Sequence, residues 1–236
     1  MKITIIRHAD PDYEHNTLTP TGFKEVEALK KHFVLNNNAT VYASPLNRAK
    51  LTAEAISSNI TICPWLKEFD HLIMLPNQKE KVITWDFLPS FYTSQKDLYD
   101  NDKYLDTEIF KSGNIKKYYQ EVCSSLDELL SQHGYIRENN YYRVEKENED
   151  EIILVCHFGM MSVLMSHLMN IPYVIIANTM CCPPTGITRF VSEERRQGVA
   201  HFRCLCFGET PHLVLENYQP SFAARFCETF SSKDRH

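Results

Sequence analysis

The sequence is poor in the residues that mark several specialised protein classes. Of 236 residues only seven are Gly and eleven are Pro, which excludes a collagen-like or low-complexity chain. There is also no excess of basic residues, since 25 Lys and Arg stand against 30 Asp and Glu, a net charge of −5. A general nucleic-acid binder normally carries the opposite balance, so we expect no nucleic-acid partner. A few local arginines could still bind a small anion.

Long hydrophobic runs are absent as well. No run approaches the roughly 18 apolar residues of a membrane span, and no apolar stretch of a secretory signal follows the N-terminus. None of the eight cysteines forms a C-x-x-C pair, and their spacing suits neither a zinc site nor a disulfide framework. These absences predict a cytoplasmic protein with no membrane partner, whose reduced thiols serve as small apolar residues.

Strand patterns and helix patterns alternate along most of the chain. Apolar, β-branched runs predict strands at 2–6, 40–43, 60–63, 152–156, 186–192 and 199–207. Helices are predicted after Thr19-Pro20, from Ser44 to about Ser58, over 107–132 and from Phe158 to Met169. This order predicts an α/β fold: a three-layer α/β/α sandwich around a mostly parallel sheet.

Two segments interrupt the alternation within what we expect to be a single domain over 1–236. Residues 70–110 are rich in aromatic side chains, densest between Trp85 and Tyr92, and predict a helical cap over the sheet edge. The same segment could instead be a small satellite core beneath a long connection. Residues 137–151 are highly charged and predict a solvated excursion.

Charged and imidazole side chains follow four of the predicted strands. Arg7 and His8 end the first strand, Arg48 lies in the first turn of the helix after the second, Glu68 follows the third, and His157 ends the strand at 152–156. Ligands of open α/β sheets bind at the carboxyl ends of the strands, where helix N-termini also attract anions. The pattern predicts an anion site at this edge.

These residues lie in five ordered motifs of a known family. The motifs are Arg7-His8-Ala9, Leu18-Thr19-Pro20-Thr21-Gly22, the segment from Tyr42 to Ala53, Leu66-Lys67-Glu68 and Val155-Cys156-His157-Phe158-Gly159. Together they resemble the histidine phosphatase superfamily, the phosphoglycerate-mutase-like clan, in its Arg-His-Gly branch. Ala9 replaces the glycine of the first motif, and Phe158 replaces the first glycine of the last.

The resemblance implies a metal-independent phosphomonoester hydrolase that acts on a small soluble phosphorylated metabolite without a cofactor. His8 would be the catalytic nucleophile, forming a phosphohistidine, and Glu68 would exchange protons with the leaving alkoxide and with water. Arg7, Arg48 and His157 would bind the phosphate, and His157, if protonated, would donate to the same oxygens.

Several alternatives stay open at the level of sequence. Asp70, and more distantly Asp10, could replace Glu68 as the acid. A phosphoglycerate mutase is a second candidate, although the short acidic loop at 10–14 favours a phosphatase. A phosphate-binding scaffold without catalysis is a third. Substrate identity and oligomeric state are not predicted.

Overall fold

The computed structural model describes residues 1–85, 87–221 and 229–231. The strands in chain order are β1 (Lys2–Arg7), β2 (Pro11–Asp12), β3 (Thr17–Leu18), β4 (Ala39–Ala43), β5 (Ile60–Ile62), β6 (Leu72–Met74), β7 (Lys81–Ile83), β8 (Tyr135–Glu138), β9 (Tyr141–Val144), β10 (Glu151–Cys156), β11 (Ile187–Arg196) and β12 (Val199–Glu209). The α-helices are α1 (Pro20–His32), α2 (Asn47–Glu54), α3 (Pro89–Tyr92), α4 (Glu108–Lys111), α5 (Ile115–Gln132), α6 (Phe158–Met169), α7 (Tyr173–Thr179) and α8 (Pro211–Leu215).

One eight-stranded sheet forms the centre of the fold, in the order β5-β4-β10-β1-β11-β12-β9-β8. The pairs from β5 to β1 are parallel, and the pairs from β1 to β8 are antiparallel. The predicted α/β class is confirmed, with a mixed sheet. Arg7 of β1 pairs with Cys156 of β10, so His8 and His157 leave adjacent parallel strands at the same level.

In the central strands β1 and β10 both faces of the sheet are buried, and successive residues alternate between the two faces. In β1, Ile3 and Ile5 belong to one hydrophobic core and Ile6 to another; in β10, Leu154 joins the first and Val155 the second. The first core continues into α5, α6 and the aromatic segment, and the second into α1 and α2. Helices therefore cover both faces, as three layers require.

The start of α1 follows the expected capping rules. Thr19 is its N-cap and accepts a hydrogen bond from the Gly22 N–H at 3.0 Å, while Pro20 occupies the first helical position. A Cβ on Gly22 would lie 2.3 Å from the Asp10 carbonyl oxygen, so only glycine allows the chain after His8 to pack this closely.

The aromatic segment at 70–110 is a mixture of short elements. The hairpin of β6 and β7 is followed by α3, and 3₁₀ turns cover 96–99 and 104–106. Its rings continue the main core, since four rings lie within 6.1 Å of the Tyr173 ring in α7: Phe69, Tyr104, Phe110 and Tyr119. The buried rings of the segment therefore belong to the same hydrophobic core that covers one face of the sheet.

The structure corrects one sequence expectation and adds several elements that were not predicted. The β8–β9 hairpin begins before the charged stretch at 137–151 and continues into it, where it extends the sheet and buries Tyr142, while most other residues of the stretch are exposed or half-buried. The helix predicted over 107–132 is broken into α4 and α5, because a Cβ on Gly113 would lie 2.4 Å from the Leu72 carbonyl and Asn114 has a positive φ of 55°. Helix α7 was not predicted.

Asp86 of the aromatic segment and one of the eight cysteines, Cys227, lie outside the described residues. Three of the seven described cysteines, Cys123, Cys156 and Cys182, are buried as expected for thiols that act as apolar side chains. The other four are exposed or half-buried: Cys63, Cys181, Cys204 and Cys206. Within the described ranges, no helix is both long and apolar enough to cross a membrane.

Candidate active site

His8 is the most constrained side chain at the sheet edge. It is 2% exposed, and its Nδ1 lies 2.7 Å from the Ala9 carbonyl oxygen, to which it can only donate. The neutral ring then has its lone pair on Nε2. Burial, together with the nearby His157, Arg7 and Arg48, holds the pKa of His8 well below its ordinary value. His8 is therefore neutral, with Nε2 as its unprotonated nitrogen, which accepts a hydrogen bond from Arg48 Nε.

Two guanidinium groups flank this imidazole. Arg48 Nε lies 3.3 Å from His8 Nε2, and its Cζ lies 5.2 Å from the Tyr13 ring centroid. Arg7 donates from Nη1 to the Cys182 carbonyl at 2.5 Å, and its Cζ lies 6.0 Å from the Phe158 ring. The charges of Arg7 and Arg48 both lower the pKa values of the buried His8 and His157. The two cations therefore lie close to the same place, as an anion site requires.

His157 lies directly behind His8, with ring centroids 5.0 Å apart. Its Nε2 is 2.7 Å from Ser44 Oγ, which itself accepts from the Leu46 N–H at 3.3 Å. Ser44 is therefore suited to donate to Nε2, which leaves the proton of a neutral His157 on Nδ1. Nδ1 is buried and has no protein hydrogen-bond partner.

The structure favours the neutral form of His157 over the protonated form. Burial first, and then the charges of Arg48 and Arg7, lower the pKa of His157 well below its ordinary value. A neutral ring can still donate one hydrogen bond from Nδ1–H to an anion.

Glu68 is the fifth predicted side chain, and it lies at the N-terminus of α6 near Arg7 and Arg48. Its Oε1 accepts hydrogen bonds from the Phe69 N–H at 2.8 Å and from the Met160 N–H, in the first turn of α6, at 3.0 Å. Burial raises the pKa of Glu68, opposed by these two N–H groups and by the charges of Arg7 and Arg48. A carboxyl group with a raised pKa next to cations is suited to proton transfer.

The other two acid candidates differ from Glu68. Asp70 is exposed. Asp10 is held in the loop before α1, where its Oδ2 accepts from the Thr19 hydroxyl at 2.6 Å and its N–H donates to Glu25 at 2.8 Å. The structure thus gives Asp10 a role in loop geometry.

Three supporting residues were not assigned roles from sequence. Thr52 Oγ1 accepts from the Ala9 N–H at 3.0 Å, which fixes the chain directly after His8. The Thr185 N–H lies 3.1 Å from the Arg7 carbonyl and 3.3 Å from that of His8. Thr185 has a φ of 56°, rare for a β-branched residue, and its Oγ1 lies 2.8 Å from His212 Nε2.

Some of these supports had a sequence signal. Ser44 and Thr52 belong to the motif between Tyr42 and Ala53, so their positions were available without their roles. Thr185 and His212 are far from the catalytic motifs in sequence, and no local pattern indicates their contact with the first strand.

Gly159 explains how Glu68 and the aromatic segment reach the N-terminus of α6. A Cβ there would lie 2.8 Å from Glu68 Oε1 and 2.9 Å from Trp85 Nε1. Both side chains therefore approach the helix backbone through the space that a larger residue would fill. Phe158 occupies the preceding position, and its ring meets Trp85 edge to face at 6.2 Å.

The five predicted side chains thus converge, and their arrangement can hold a tetrahedral anion. Two guanidinium groups and an imidazole N–H face the same region as a neutral imidazole base and a carboxyl group with a raised pKa. In the described part of the chain, no three His, Cys, Asp or Glu side chains are arranged to hold a metal ion.

The chain resembles known proteins in sequence profile and in fold. The profile of the histidine phosphatase superfamily (branch 1) matches residues 3–85, which contain four of the five candidate residues. No curated protein matches the chain by sequence.

Solved structures of phosphatases share its fold. Phosphoserine phosphatase from Entamoeba histolytica in complex with 3-phosphoglyceric acid is 19% identical, with 90% of this chain and 98% of that one covered at a TM-score of 0.57. A His-to-Ala mutant of that enzyme in complex with phosphoserine is 18% identical, with the same coverage and TM-score. Mycobacterial glucosyl-3-phosphoglycerate phosphatase in complex with inorganic phosphate is 13% identical, covering 89% and 98% at a TM-score of 0.55.

At these identities the structural likeness is one of fold, and the profile match covers residues 3–85. The resemblance predicted from the five motifs is confirmed: this chain resembles branch 1 of the histidine phosphatase superfamily in sequence over residues 3–85, and it shares the fold of solved phosphatases over about 90% of its length.

Proposed function

We propose that this protein is a phosphomonoester hydrolase that acts through a phosphohistidine on His8. One observation carries the proposal. The Nδ1–H of His8 is committed to the Ala9 carbonyl, so the lone pair lies on Nε2 beside the Arg48 guanidinium. Structural relatives named as phosphatases support hydrolysis as the reaction class.

The first step transfers the phosphoryl group to His8. Nε2 attacks phosphorus while the bond between phosphorus and the ester oxygen breaks, and Glu68 gives its proton to the departing oxygen. Arg7, Arg48 and the Nδ1–H of His157 bind the non-bridging oxygens and stabilise their charge in the transition state. The alcohol leaves, and Glu68 is then a carboxylate.

The second step hydrolyses the phosphohistidine. Glu68 takes a proton from water, the water oxygen bonds to phosphorus, and the bond to Nε2 breaks. The imidazole recovers its lone pair, Glu68 its proton, and inorganic phosphate departs. Each charge in this cycle is met by a side chain of the chain itself, so we propose a metal-independent reaction whose rate persists in EDTA.

The substrate we propose is a small phosphorylated metabolite, and we retain the cytoplasm as the proposed location. The named relatives of the same fold are crystallised with phosphoserine, 3-phosphoglyceric acid or inorganic phosphate, which supports a small ligand.

The test uses 4-nitrophenyl phosphate with the wild type and with His8→Ala. We expect vanadate-sensitive hydrolysis by the wild type and a loss of about 10³-fold or more in kcat for the variant. Its thermal unfolding curve controls for folding. A folded His8→Ala protein that keeps wild-type activity contradicts the proposal, and so does a wild type that hydrolyses no phosphate ester.

A further inference from the structure

A cavity of about 260 Å³ lies beside the candidate active site. Its walls are Trp85 and Phe87 from the aromatic segment, and residues 177–181 at the end of α7 and just after it. An apolar protein cavity of roughly 150 Å³ can hold benzene, so this space is large enough for a substituted ring or a branched aliphatic group.

Each wall of the cavity is linked to Arg7 through one intervening residue. On one side, Trp85 packs edge to face on Phe158, whose ring also lies 6.0 Å from the Arg7 guanidinium. On the other side, Cys181 immediately precedes Cys182, whose carbonyl accepts from Arg7 Nη1. A phosphate held by Arg7 therefore has the cavity next to it, on the side where Trp85 approaches Glu68.

The described residues that line the cavity provide no cation to pair with a negative charge. They are Trp85, Phe87, Ala177, Asn178, Thr179, Met180 and Cys181. A carboxylate placed among these residues would lose its hydration without gaining a cation, which is strongly unfavourable. Aromatic faces and a Met side chain instead favour an apolar group.

Trp85 also approaches the proton-transfer side chain. Its indole Nε1 is buried and has no hydrogen-bond partner among the described residues, and it lies near the N-terminus of α6 beside Glu68, since a Cβ on Gly159 would be 2.9 Å from Nε1 and 2.8 Å from Glu68 Oε1. Buried donors without partners are uncommon and unfavourable, and the ester oxygen of a substrate held beside Glu68 would supply the missing acceptor.

We propose that this cavity receives the leaving group of the substrate and selects phosphomonoesters whose leaving group is uncharged and at least partly apolar. The inference rests on the proposed phosphatase function and adds the substrate class. It separates this chain from its structural relatives crystallised with phosphoserine or 3-phosphoglyceric acid, both of which carry a carboxylate.

The test compares benzyl phosphate with 4-carboxybenzyl phosphate, which differ in one carboxylate and have leaving alcohols of similar basicity. We expect kcat/KM to be at least about tenfold higher for benzyl phosphate, with 3-phosphoglycerate and phosphoserine on the slower side. Hydrolysis of 4-nitrophenyl phosphate, measured in parallel, reports on the catalytic chemistry itself.

Variants of the wall test the charge argument in the opposite direction. Thr179→Lys and Met180→Lys each add a cation to the lining, and Thr179 is exposed at the end of α7, where lysine is well tolerated. At least one should raise kcat/KM for 4-carboxybenzyl phosphate about tenfold relative to benzyl phosphate. Val34→Lys, at an exposed position after α1, is the matched control and should leave the ratio unchanged.

The outcomes separate the two proposals. If 4-nitrophenyl phosphate is hydrolysed but the carboxylated ester is used as well as benzyl phosphate, the selection is overturned and the phosphatase function stands. An unchanged ratio in both cavity variants also overturns it. If no phosphate ester is hydrolysed, the proposed function fails, and the inference that rests on it fails too.

Discussion

The candidate phosphate-binding centre and the aromatic wall beside it are built in different ways. In the centre, His8 and His157 follow adjacent parallel strands, and their rings are fixed by hydrogen bonds of 2.7 Å to Ala9 and Ser44. In the wall, Trp85 and Phe87 lie between short elements and are held by ring packing. The centre carries charge and directional bonds, whereas the wall carries shape and apolar surface.

This difference separates the reaction from the choice of substrate. Phosphoryl transfer needs donors and a base within narrow geometric limits, which strand ends and backbone bonds provide. Selection of an apolar leaving group tolerates small movements and can change with one or two side chains. We therefore expect substitutions in the centre to affect kcat broadly, and substitutions in the wall to affect kcat/KM for some substrates only.

The largest effect that tests this comparison is expected for Glu68→Gln. The amide cannot donate the proton that an alkoxide needs, so kcat on benzyl phosphate should fall by about 10²–10⁴. The loss on 4-nitrophenyl phosphate should be smaller, because that leaving group needs less protonation. Equal losses on both esters would show that Glu68 is not the acid.

The pH profile gives a second readout of the same variant. Glu68 acts in its protonated form, and its raised pKa keeps that form present to higher pH than in an exposed Glu. Wild-type kcat on benzyl phosphate should therefore fall as the pH rises through this pKa, and the fall should be absent in Glu68→Gln. On the acid side, His8 stays neutral well below the pKa of a free histidine.

Gly159→Ala tests the contact between the two regions. The new Cβ would lie 2.8 Å from Glu68 Oε1 and 3.1 Å from the Phe69 carbonyl oxygen, so the acid must move. A displacement near 1 Å is expected to lower kcat about 10²-fold. The measurement is kcat on benzyl phosphate beside the unfolding temperature; a folded variant with unchanged kcat would mean that Glu68 tolerates the shift.

His212→Ala tests the support behind the centre. The variant removes one of the two partners of the Thr185 hydroxyl, which also donates to the Pro184 carbonyl at 2.7 Å. Thr185 itself has a rare positive φ, and its N–H donates to the carbonyls of Arg7 and His8. We expect a loss of about 1–3 kcal/mol in unfolding free energy and about tenfold in kcat, with little change in KM. Unchanged kcat in a destabilised protein would show a purely structural role.

The pH dependence of unfolding sharpens this prediction. Burial, with a smaller contribution from His32, lowers the pKa of His212 to about 4. The folded-state pKa of His212 lies below its pKa in the unfolded chain. The contribution of neutral His212 to the free energy of unfolding is therefore present above about pH 6.5 and is lost as the pH falls towards about 4. The unfolding free energy of His212→Ala should depend less on pH over that window.

The smallest and most selective effect is expected for Trp85→Phe. This change removes the buried indole N–H and keeps an aromatic ring against Phe158. KM for benzyl phosphate should rise about threefold to tenfold, while 4-nitrophenyl phosphate hydrolysis changes less. Tyr92→Phe is the matched control, because Tyr92 is buried and its ring stacks on Tyr99, which is a packing role. If the kinetics of Tyr92→Phe change as those of Trp85→Phe do, the wall does not select the substrate.

The sequence indicates the phosphate-binding centre better than the wall, for a physical reason. Arg7, His8 and His157 directly follow strands with strong apolar patterns, so the pattern that predicts the strand also places the side chain. The wall depends on α7 and on short turns, whose positions are set by ring packing between distant parts of the chain. No local periodicity records such packing.

Contacts between distant parts of the chain also explain the elements that the sequence did not predict. The break between α4 and α5 depends on the close approach of Gly113 to β6, and the β8–β9 hairpin depends on pairing with β12. Its charged residues face solvent at the sheet edge, which is why composition alone indicated a solvated segment.

The account's central claim is that His8 Nε2 accepts the phosphoryl group. Rapid quenching of wild-type protein with ³²P-labelled benzyl phosphate, followed by peptide mapping, measures this directly. We predict an acid-labile, base-stable label on His8 that forms and decays at rates compatible with turnover and is absent in His8→Ala. Turnover without such a label, or a label on another residue, would contradict the account.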